Sequence, residues 1–186
     1  YLKMQSVDPS LLGEMEKDVA RLEMVAERFS KIGSNPTPVP VNIAAALSQA
    51  LDYMKIRISS KVEIIATIPQ EPIFVAINDS LFAWVVENLI KNAVDAMDGY
   101  GKISFSVYEY GKYVRIDISD TGKGIPKSKF KTIFNPGYTT KERGWGLGLS
   151  LVKRIIESYH KGRIFVKNSE IGKGTTFRIE FRKYKG

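Results

Sequence analysis

The chain has no cysteine and only one histidine among its 186 residues. Without cysteine, neither a disulfide framework nor a thiolate metal site is available, which fits a cytoplasmic domain. The sequence also lacks a run of about eighteen apolar residues and a signal-like start, so we expect no membrane segment within it. Whether a membrane segment precedes Tyr1 is left open.

A length of 186 residues suits one main domain with an appendage. Residues 1–33 carry apolar side chains at alternating three- and four-residue spacing, which predicts a long amphipathic helix. Its apolar face is too wide for a helix alone in water, so it packs on its own domain or, as we favour, in an intermolecular bundle. Residues 34–40 hold three prolines and are interpreted as a semi-rigid extended linker.

Residues 41–184 read as an α+β domain. Apolar periodicity predicts a helix capped near Asn42, a helix through 84–97 and a helix over 150–159. Strands are predicted at 62–68 and 73–77, in a hairpin of 102–110 with 113–120, and in a second hairpin of 163–168 with 175–182. We therefore expect a two-layer sandwich in which helices cover one face of a mixed sheet.

The helix through 84–97 has an unusual polar edge. Asn88, Asn92 and Asp95 follow at spacings of four and three, so they share one helix face. The opposite face is apolar and is predicted to enter the core, through Val85, Val86, Leu89, Ala93 and Met97. Amide side chains on such a line can bind a cation or phosphate oxygens. An exposed face that merely happens to be polar is the alternative.

Two glycine clusters follow. Asp120 ends a predicted strand and is followed by Gly122 and Gly124, so an acceptor for an exocyclic amine such as adenine N6 lies beside a flexible backbone. An ordinary aspartate-containing turn is the alternative interpretation of this segment. Gly144, Gly146 and Gly148 then open a helix, where free amides favour phosphate, although a flexible connection has the same pattern.

Five motifs stand in a fixed order: the 87–93 asparagine motif, the 120–126 and 144–150 glycine motifs, the 133–141 segment between them, and the 172–177 turn. This set resembles the catalytic ATP-binding domain of two-component sensor histidine kinases, a Bergerat-type fold, over residues 41–182. Ala-Met after the asparagine motif and Thr-Thr-Lys in the lid are features shared with the nitrogen-sensor-like group of this family.

The resemblance implies a Mg-ATP site. Asn92 would bind Mg²⁺ through its carbonyl oxygen, Asn88 would lie beside the phosphates, and Asp120 would accept from the adenine amine. Residues 126–145 would form a lid held by Phe134. The implied nucleotide contacts are Asn88, Asn92, Asp95, Ala96, Asp120, Gly122, Gly124, Ile125, Thr139, Thr140, Lys141, Gly144, Gly146, Leu147, Gly148, Leu149 and, through water, Thr176.

Two positions depart from the family pattern. Many members carry a basic residue and a tyrosine three and four positions after the metal-binding asparagine, where this chain has Asp95 and Ala96. A stacking or phosphate-pairing contact is therefore in doubt. Lys141 or Arg143 of the lid is a candidate for the missing charge.

Asn88 bears on the reaction. Related hydrolases have a glutamate four residues before the metal-binding asparagine, whereas an amide cannot take a proton from water at neutral pH. Glu87 lies about a hundred degrees around the helix and is predicted to pair with Lys91. Asn88 also argues against the related anti-sigma-factor serine kinases.

Residues 1–33 resemble the second helix of a histidine kinase dimerisation and phosphotransfer domain, and the first helix with the phosphoacceptor histidine is absent. His160 is interpreted as a surface residue at a helix C-terminus rather than as the acceptor. We expect a kinase core that transfers the γ-phosphoryl to that absent histidine for relay to a response regulator aspartate, in a homodimer formed through the N-terminal helix. A hydrolytic ATPase and a non-catalytic scaffold that only dimerises or senses nucleotide are the alternatives.

The net charge of +8 is compatible with several anionic partners. Lysines are spread along the lid and the tail without a basic groove of regularly placed aromatics, which disfavours nucleic acid. Attraction of ATP or of an acidic response regulator domain accounts for the positive net charge equally well.

Overall fold

The computed structural model describes residues 37–141 and 145–184. The elements in chain order are β1 (Val39–Asn42), α1 (Ile43–Lys55), β2 (Val62–Thr67), β3 (Phe74–Ile77), α2 (Asp79–Ala96), β4 (Gly101–Tyr110), β5 (Tyr113–Asp120), α3 (Gly148–Arg154), β6 (Arg163–Glu170) and β7 (Gly174–Arg182). Short 3₁₀ turns at Lys127–Lys129 and Thr132–Phe134 lie between β5 and α3. The predicted N-terminal helix, Arg143 and Gly144 lie outside the described residues.

The main sheet has five strands in the order β2-β4-β5-β7-β6. Strand β2 runs parallel to β4, while β4 with β5, β5 with β7, and β6 with β7 are antiparallel. Both predicted hairpins are therefore present. The sheet is mixed, as expected for the α+β class.

A second, two-stranded sheet is formed by β1 and β3, which pair antiparallel. Val39 and Pro40, assigned to the linker from sequence, belong to β1. Proline is tolerated in this strand because β1 is an edge strand of a two-stranded sheet. The Asn42 side chain accepts hydrogen bonds from the amides of Ala44, at 3.2 Å, and of Ile73, at 3.3 Å. The predicted cap is confirmed, and it also joins α1 to the start of the β3 segment.

Helix α2 packs against strands β4 and β5 of the main sheet and against helix α1. Helix α2 begins after Asn78, whose side chain accepts from the Leu81 amide at 3.0 Å. Its apolar face is buried as predicted, by Val85, Val86, Leu89, Ala93 and Met97. The sheet contributes alternate residues to the same core, among them Ile103, Phe105, Ile116, Ile118, Phe177 and Phe181. Among the helices in the described ranges, none has the length and apolarity needed to span a bilayer.

The other face of the sheet carries ion pairs. Asp117 accepts from Arg178 at 2.7 and 2.8 Å and from Lys167 at 2.8 Å. Burial raises the pKa of Asp117, but the hydrogen bonds from these two cations outweigh it, so the pKa lies below its usual value. Glu180 pairs similarly with Arg115 at 2.7 Å. These charged groups of the outer face therefore have partners within the sheet.

The last helix differs from the prediction of one helix over 150–159. Helix α3 continues into a π-helical turn, Ile155–Tyr159, which ends at His160. The amide of His160 donates to the carbonyl of Ile155 at 3.0 Å, the five-residue spacing of a π-helix. Residue periodicity does not signal this wider turn.

The interpretation of His160 as a surface residue is wrong. The residue is 5% exposed, and its Nε2 accepts from the Asn78 amide at 3.1 Å. Burial lowers its pKa from 6.5 to about 4, so the imidazole is neutral at pH 7 and adds no positive charge at the helix end. It instead connects the π-helical turn to the N-terminus of α2.

Candidate nucleotide-binding site

The buried carboxylate of Asp120 lies where β5 ends. It accepts from the Gly122 amide at 2.8 Å and from the backbone amide of Thr175. Burial raises the pKa of Asp120, and these two backbone hydrogen bonds oppose that effect. The side chain is 9% exposed. The structure thus supplies a buried, oriented acceptor at the position predicted for adenine recognition.

Gly122 is required for contact between the β5 end and α2. A Cβ at Gly122 would lie 2.6 Å from the carbonyl oxygen of Ala96, and the Lys123 amide donates to that oxygen at 2.9 Å. Gly124 has a φ of +73°, and a Cβ there would lie 2.2 Å from the Glu170 carbonyl oxygen. These glycines therefore bring the end of α2 and the β6–β7 turn against the Asp120 segment.

The structure places the Thr176 side chain away from Asp120, although the resemblance implies that Thr176 joins the adenine contact through water. In the β5–β7 register, Asp120 is opposite Thr175 and Ser119 is opposite Thr176. Side chains alternate between faces of a sheet, so Thr176 lies on the face away from the Asp120 carboxylate, where its hydroxyl bonds Ser119 at 2.8 Å. Thr175 is the threonine beside Asp120.

Sequence reasoning missed Ser169. Its hydroxyl accepts from the Ile125 amide at 2.7 Å, donates to the Gly174 carbonyl at 2.9 Å, and lies 2.9 Å from Thr175 Oγ1. Ile125, named from the motif, thus contributes a backbone contact. The signal for Ser169 was its place in the last hairpin, where it pairs with Thr175 across the strands.

The asparagine helix meets the second glycine motif at Asn88. Its Nδ2 donates to the Trp84 carbonyl at 3.1 Å, and a Cβ at Gly148 would lie 3.2 Å from its Oδ1. The start of α3 is therefore beside the polar edge of α2. Leu147 and Leu149 flank this approach and are half-buried.

Lys141 of the predicted lid contacts the same polar edge. Its Nζ lies 3.3 Å from Asn92 Oδ1 and forms an ion pair with Asp95. Asp95, which stands where many family members have a basic residue, is thus paired with Lys141 of the predicted lid. Glu87 pairs with Lys91, as predicted.

The donor set fits Mg²⁺. The Asn92 carbonyl oxygen is a hard ligand that already faces a cation, the Lys141 ammonium. Mg²⁺ commonly takes one or two protein oxygens and completes its shell with phosphate oxygens and water. One amide oxygen is therefore sufficient on the protein side.

The predicted lid is held at its base. Phe134 is buried and packs edge to face on Phe177, with ring centroids 6.2 Å apart. The Gly137 amide donates to the Gly146 carbonyl at 3.1 Å. Thr139 accepts from the Lys141 amide at 3.0 Å and Thr140 is exposed, so their phosphate contacts stay predictions.

A buried acceptor, a polar helix edge with a candidate metal-binding amide, and a glycine-rich segment beside it, on an α+β sandwich, are the features expected of an ATP-binding domain. Residues 77–185, more than half of the chain, match the family described as histidine kinase-, DNA gyrase B-, and HSP90-like ATPase. The chain belongs to this family.

Curated relatives include sensor kinases. The sensor histidine kinase ZraS of Escherichia coli (strain K12) is 44% identical over 95 residues, which cover 51% of this chain and 20% of that protein. The adaptive-response sensory kinase SasA of Synechococcus elongatus is 33% identical over 183 residues, covering 95% of this chain and 46% of that protein. This chain therefore spans less than half the length of either relative.

Solved structures agree with the predicted fold. The catalytic domain of histidine kinase ThkA is 30% identical, with a TM-score of 0.68, over 78% of this chain and 95% of that one. ThkA in complex with the response regulator protein TrrA is 24% identical, with a TM-score of 0.74, over 98% of this chain and 54% of that one, and supports the fold alone. The described domain is thus of the sensor histidine kinase catalytic type.

Proposed function

We propose that this chain is the ATP-binding core of a protein histidine kinase. It would bind Mg-ATP beneath the 126–145 lid and transfer the γ-phosphoryl to a histidine on a dimerisation helix, from which a response regulator aspartate receives it. The observation that carries the proposal is the presence, in one domain, of the buried carboxylate of Asp120 and of the asparagine edge of α2. Asp120 would serve as the acceptor for adenine and Asn92 as the metal-binding amide within one domain.

The proposed roles follow from the chemistry of each group. Asp120 would hold the adenine amine, and Asn92 Oδ1 would hold the metal. Bound Mg²⁺ would neutralise charge on the transferring phosphoryl group. Lys141 would turn from Asp95 towards the phosphates as the nucleotide enters. Catalysis of this kind depends mainly on position and charge.

Asn88 supports transfer over hydrolysis. Its Nδ2 is committed to the Trp84 carbonyl, and an amide has no basic site for a water proton near pH 7. The sensory kinase SasA resembles this chain over 95% of its length, which also favours phosphoryl transfer. The response regulator and the homodimer are proposed from the same family likeness.

Calorimetric titration of ATP into the chain with excess Mg²⁺ tests the proposal. We expect one saturable site and a flat baseline, and Asp120→Asn should weaken ATP affinity at least about tenfold, because a charged hydrogen bond contributes about 1.5–3 kcal/mol. Asp52→Asn, an exposed aspartate on α1, is the matched control.

The contrary outcomes are distinct. Unchanged affinity in Asp120→Asn would refute the site assignment. Heat that continues after mixing would indicate turnover and favour the hydrolase, whereas no binding at all would favour the scaffold. Asn92→Ala should weaken affinity with Mg²⁺ more than without it, and equal losses would contradict the metal role.

A further inference from the structure

The Ser169 hydroxyl is the centre of a buried hydrogen-bond cluster beside Asp120, the candidate adenine acceptor. It lies within hydrogen-bond distance of the Ile125 amide, the Gly174 carbonyl and the Thr175 hydroxyl. Ser169 and Thr175 are both buried. Water therefore does not compete freely for these groups.

The protons in this cluster can be assigned by counting donors. The Ile125 amide only donates, and the Gly174 carbonyl only accepts. The single proton of Ser169 therefore goes to Gly174, at 2.9 Å. Only lone pairs of Ser169 then face Thr175, so the Thr175 hydroxyl donates its proton to Ser169. The Thr175 oxygen is left with lone pairs alone.

Thr175 is the cross-strand neighbour of Asp120, and its backbone amide donates to the Asp120 carboxylate. The two side chains lie on the same face of the sheet. An ionised carboxylate is also only an acceptor. The pair therefore presents two acceptors and no donor to a base bound there.

We infer that Ser169 is a positioning residue that fixes the direction of the Thr175 hydroxyl and thereby selects purines with a 6-amino group over those with a 6-oxo group. A 6-amino group has two N–H donors for two acceptors. A 6-oxo group brings an acceptor against them, which leaves buried lone pairs unpaired. This inference rests on the proposed nucleotide site at Asp120.

The test compares the affinities of the chain for ATP and ITP, which differ at position 6. In Ser169→Ala the Thr175 hydroxyl is free to turn its proton towards the base. We expect the ratio of ATP to ITP affinity to fall about fivefold or more, in the range set by one hydrogen bond. The measurement is calorimetric titration with each nucleotide.

Ser119→Ala is the matched control. Ser119 bonds the neighbouring threonine, Thr176, at 2.8 Å, but on the opposite face of the sheet. The same substitution there should leave the ratio unchanged. A fall of similar size in Ser119→Ala would overturn the inference.

A second pair of variants avoids altering Ser169. Thr175→Val removes the hydroxyl and should lower the ratio, while Thr175→Ser keeps it and should retain the ratio. Adding Ser169→Ala to Thr175→Val should cause little further change in the ratio, because both act through one hydroxyl.

The outcomes separate the two proposals. Equal weakening of ATP and ITP in Ser169→Ala would mean that Ser169 only supports the turn, and an unchanged ratio in Thr175→Val would refute the role of the hydroxyl. Loss of the proposed function instead appears as unchanged ATP affinity in Asp120→Asn. If Ser169→Ala does not fold, the Thr175 pair decides alone.

Discussion

The ammonium nitrogen of Lys141 lies 3.3 Å from the carbonyl oxygen of Asn92. The same group forms an ion pair with Asp95, one turn further along α2. A cation of the lid thus occupies the neighbourhood of the candidate metal ligand. In the proposed function, a nucleotide carrying Mg²⁺ would displace it.

Asp95→Asn should therefore increase the affinity for Mg-ATP. The Lys141 and Asp95 side chains are 45% and 52% exposed, and such pairs contribute about 1 kcal/mol or less, so the gain is at most about fivefold. Calorimetry measures it, with Glu87→Gln on the same helix as the control. Weaker binding in Asp95→Asn would show that Asp95 itself supports the metal.

Asn88→Glu should introduce hydrolysis. The substitution places a carboxylate where the related hydrolases have their general base, beside the start of α3. We expect sustained phosphate release from ATP in this variant, and none from the wild-type chain or from Asn88→Gln. Steady release from the wild-type chain would contradict the assignment of Asn88.

Phe134→Ala should loosen the base of the lid. The ring is buried against Phe177, and removal of a buried phenylalanine costs about 3–5 kcal/mol, here mostly from the local stability of the lid. Trypsin should cleave after Lys127, Lys129 or Lys131 faster than in the wild type. Phe74→Ala, at a ring 45% exposed, is the control. Equal cleavage rates in both variants would count against the anchor.

His160 should make the stability of the domain depend on pH. Its pKa is about 4 in the folded chain against 6.5 unfolded, so the unfolded state takes up a proton first as the pH falls. The contribution to the free energy of unfolding is full above about pH 6.5 and declines by about 1.4 kcal/mol per unit down to about pH 4.

The measurement is denaturant unfolding of the wild type and of His160→Gln between pH 4 and pH 7. Glutamine keeps an acceptor for the Asn78 amide but does not titrate in this range. The difference between the two proteins therefore isolates the imidazole. A difference that stays constant with pH would mean that the imidazole is accessible to protons in the folded chain.

Patterns with a strong period were predictable from the sequence. The buried face of α2, both hairpins of the main sheet and the Asn42 cap follow from local chemistry, and the order of the glycine motifs gave the family. Pairing over long distances was harder. Strands β2 and β3 flank one turn yet join different sheets, because β2 pairs with β4 while β3 pairs with β1.

Errors in the site came from single-residue differences. Thr175 and Thr176 are identical in type and adjacent, and only the register with β5 decides which one faces Asp120. The residues that flank His160 are also typical of an exposed histidine at a helix C-terminus. Its burial depends on contacts with Asn78 and Phe181, which are far away in sequence. The pairing of Lys141 with Asp95 likewise depends on the course of the lid.

The contact between Gly137 and Gly146 has a consequence for how this domain can vary. A Cβ at Gly146 would lie 2.3 Å from the Gly137 carbonyl carbon, so the two backbones meet with no room for a side chain. Gly137 and Gly146 are therefore held together at this contact, independently of how many residues lie between them. Doubling the length of a flexible loop costs only about 0.6 kcal/mol, so the fold should tolerate insertions between these two glycines. Substitution of Gly146, by contrast, should destabilise the fold.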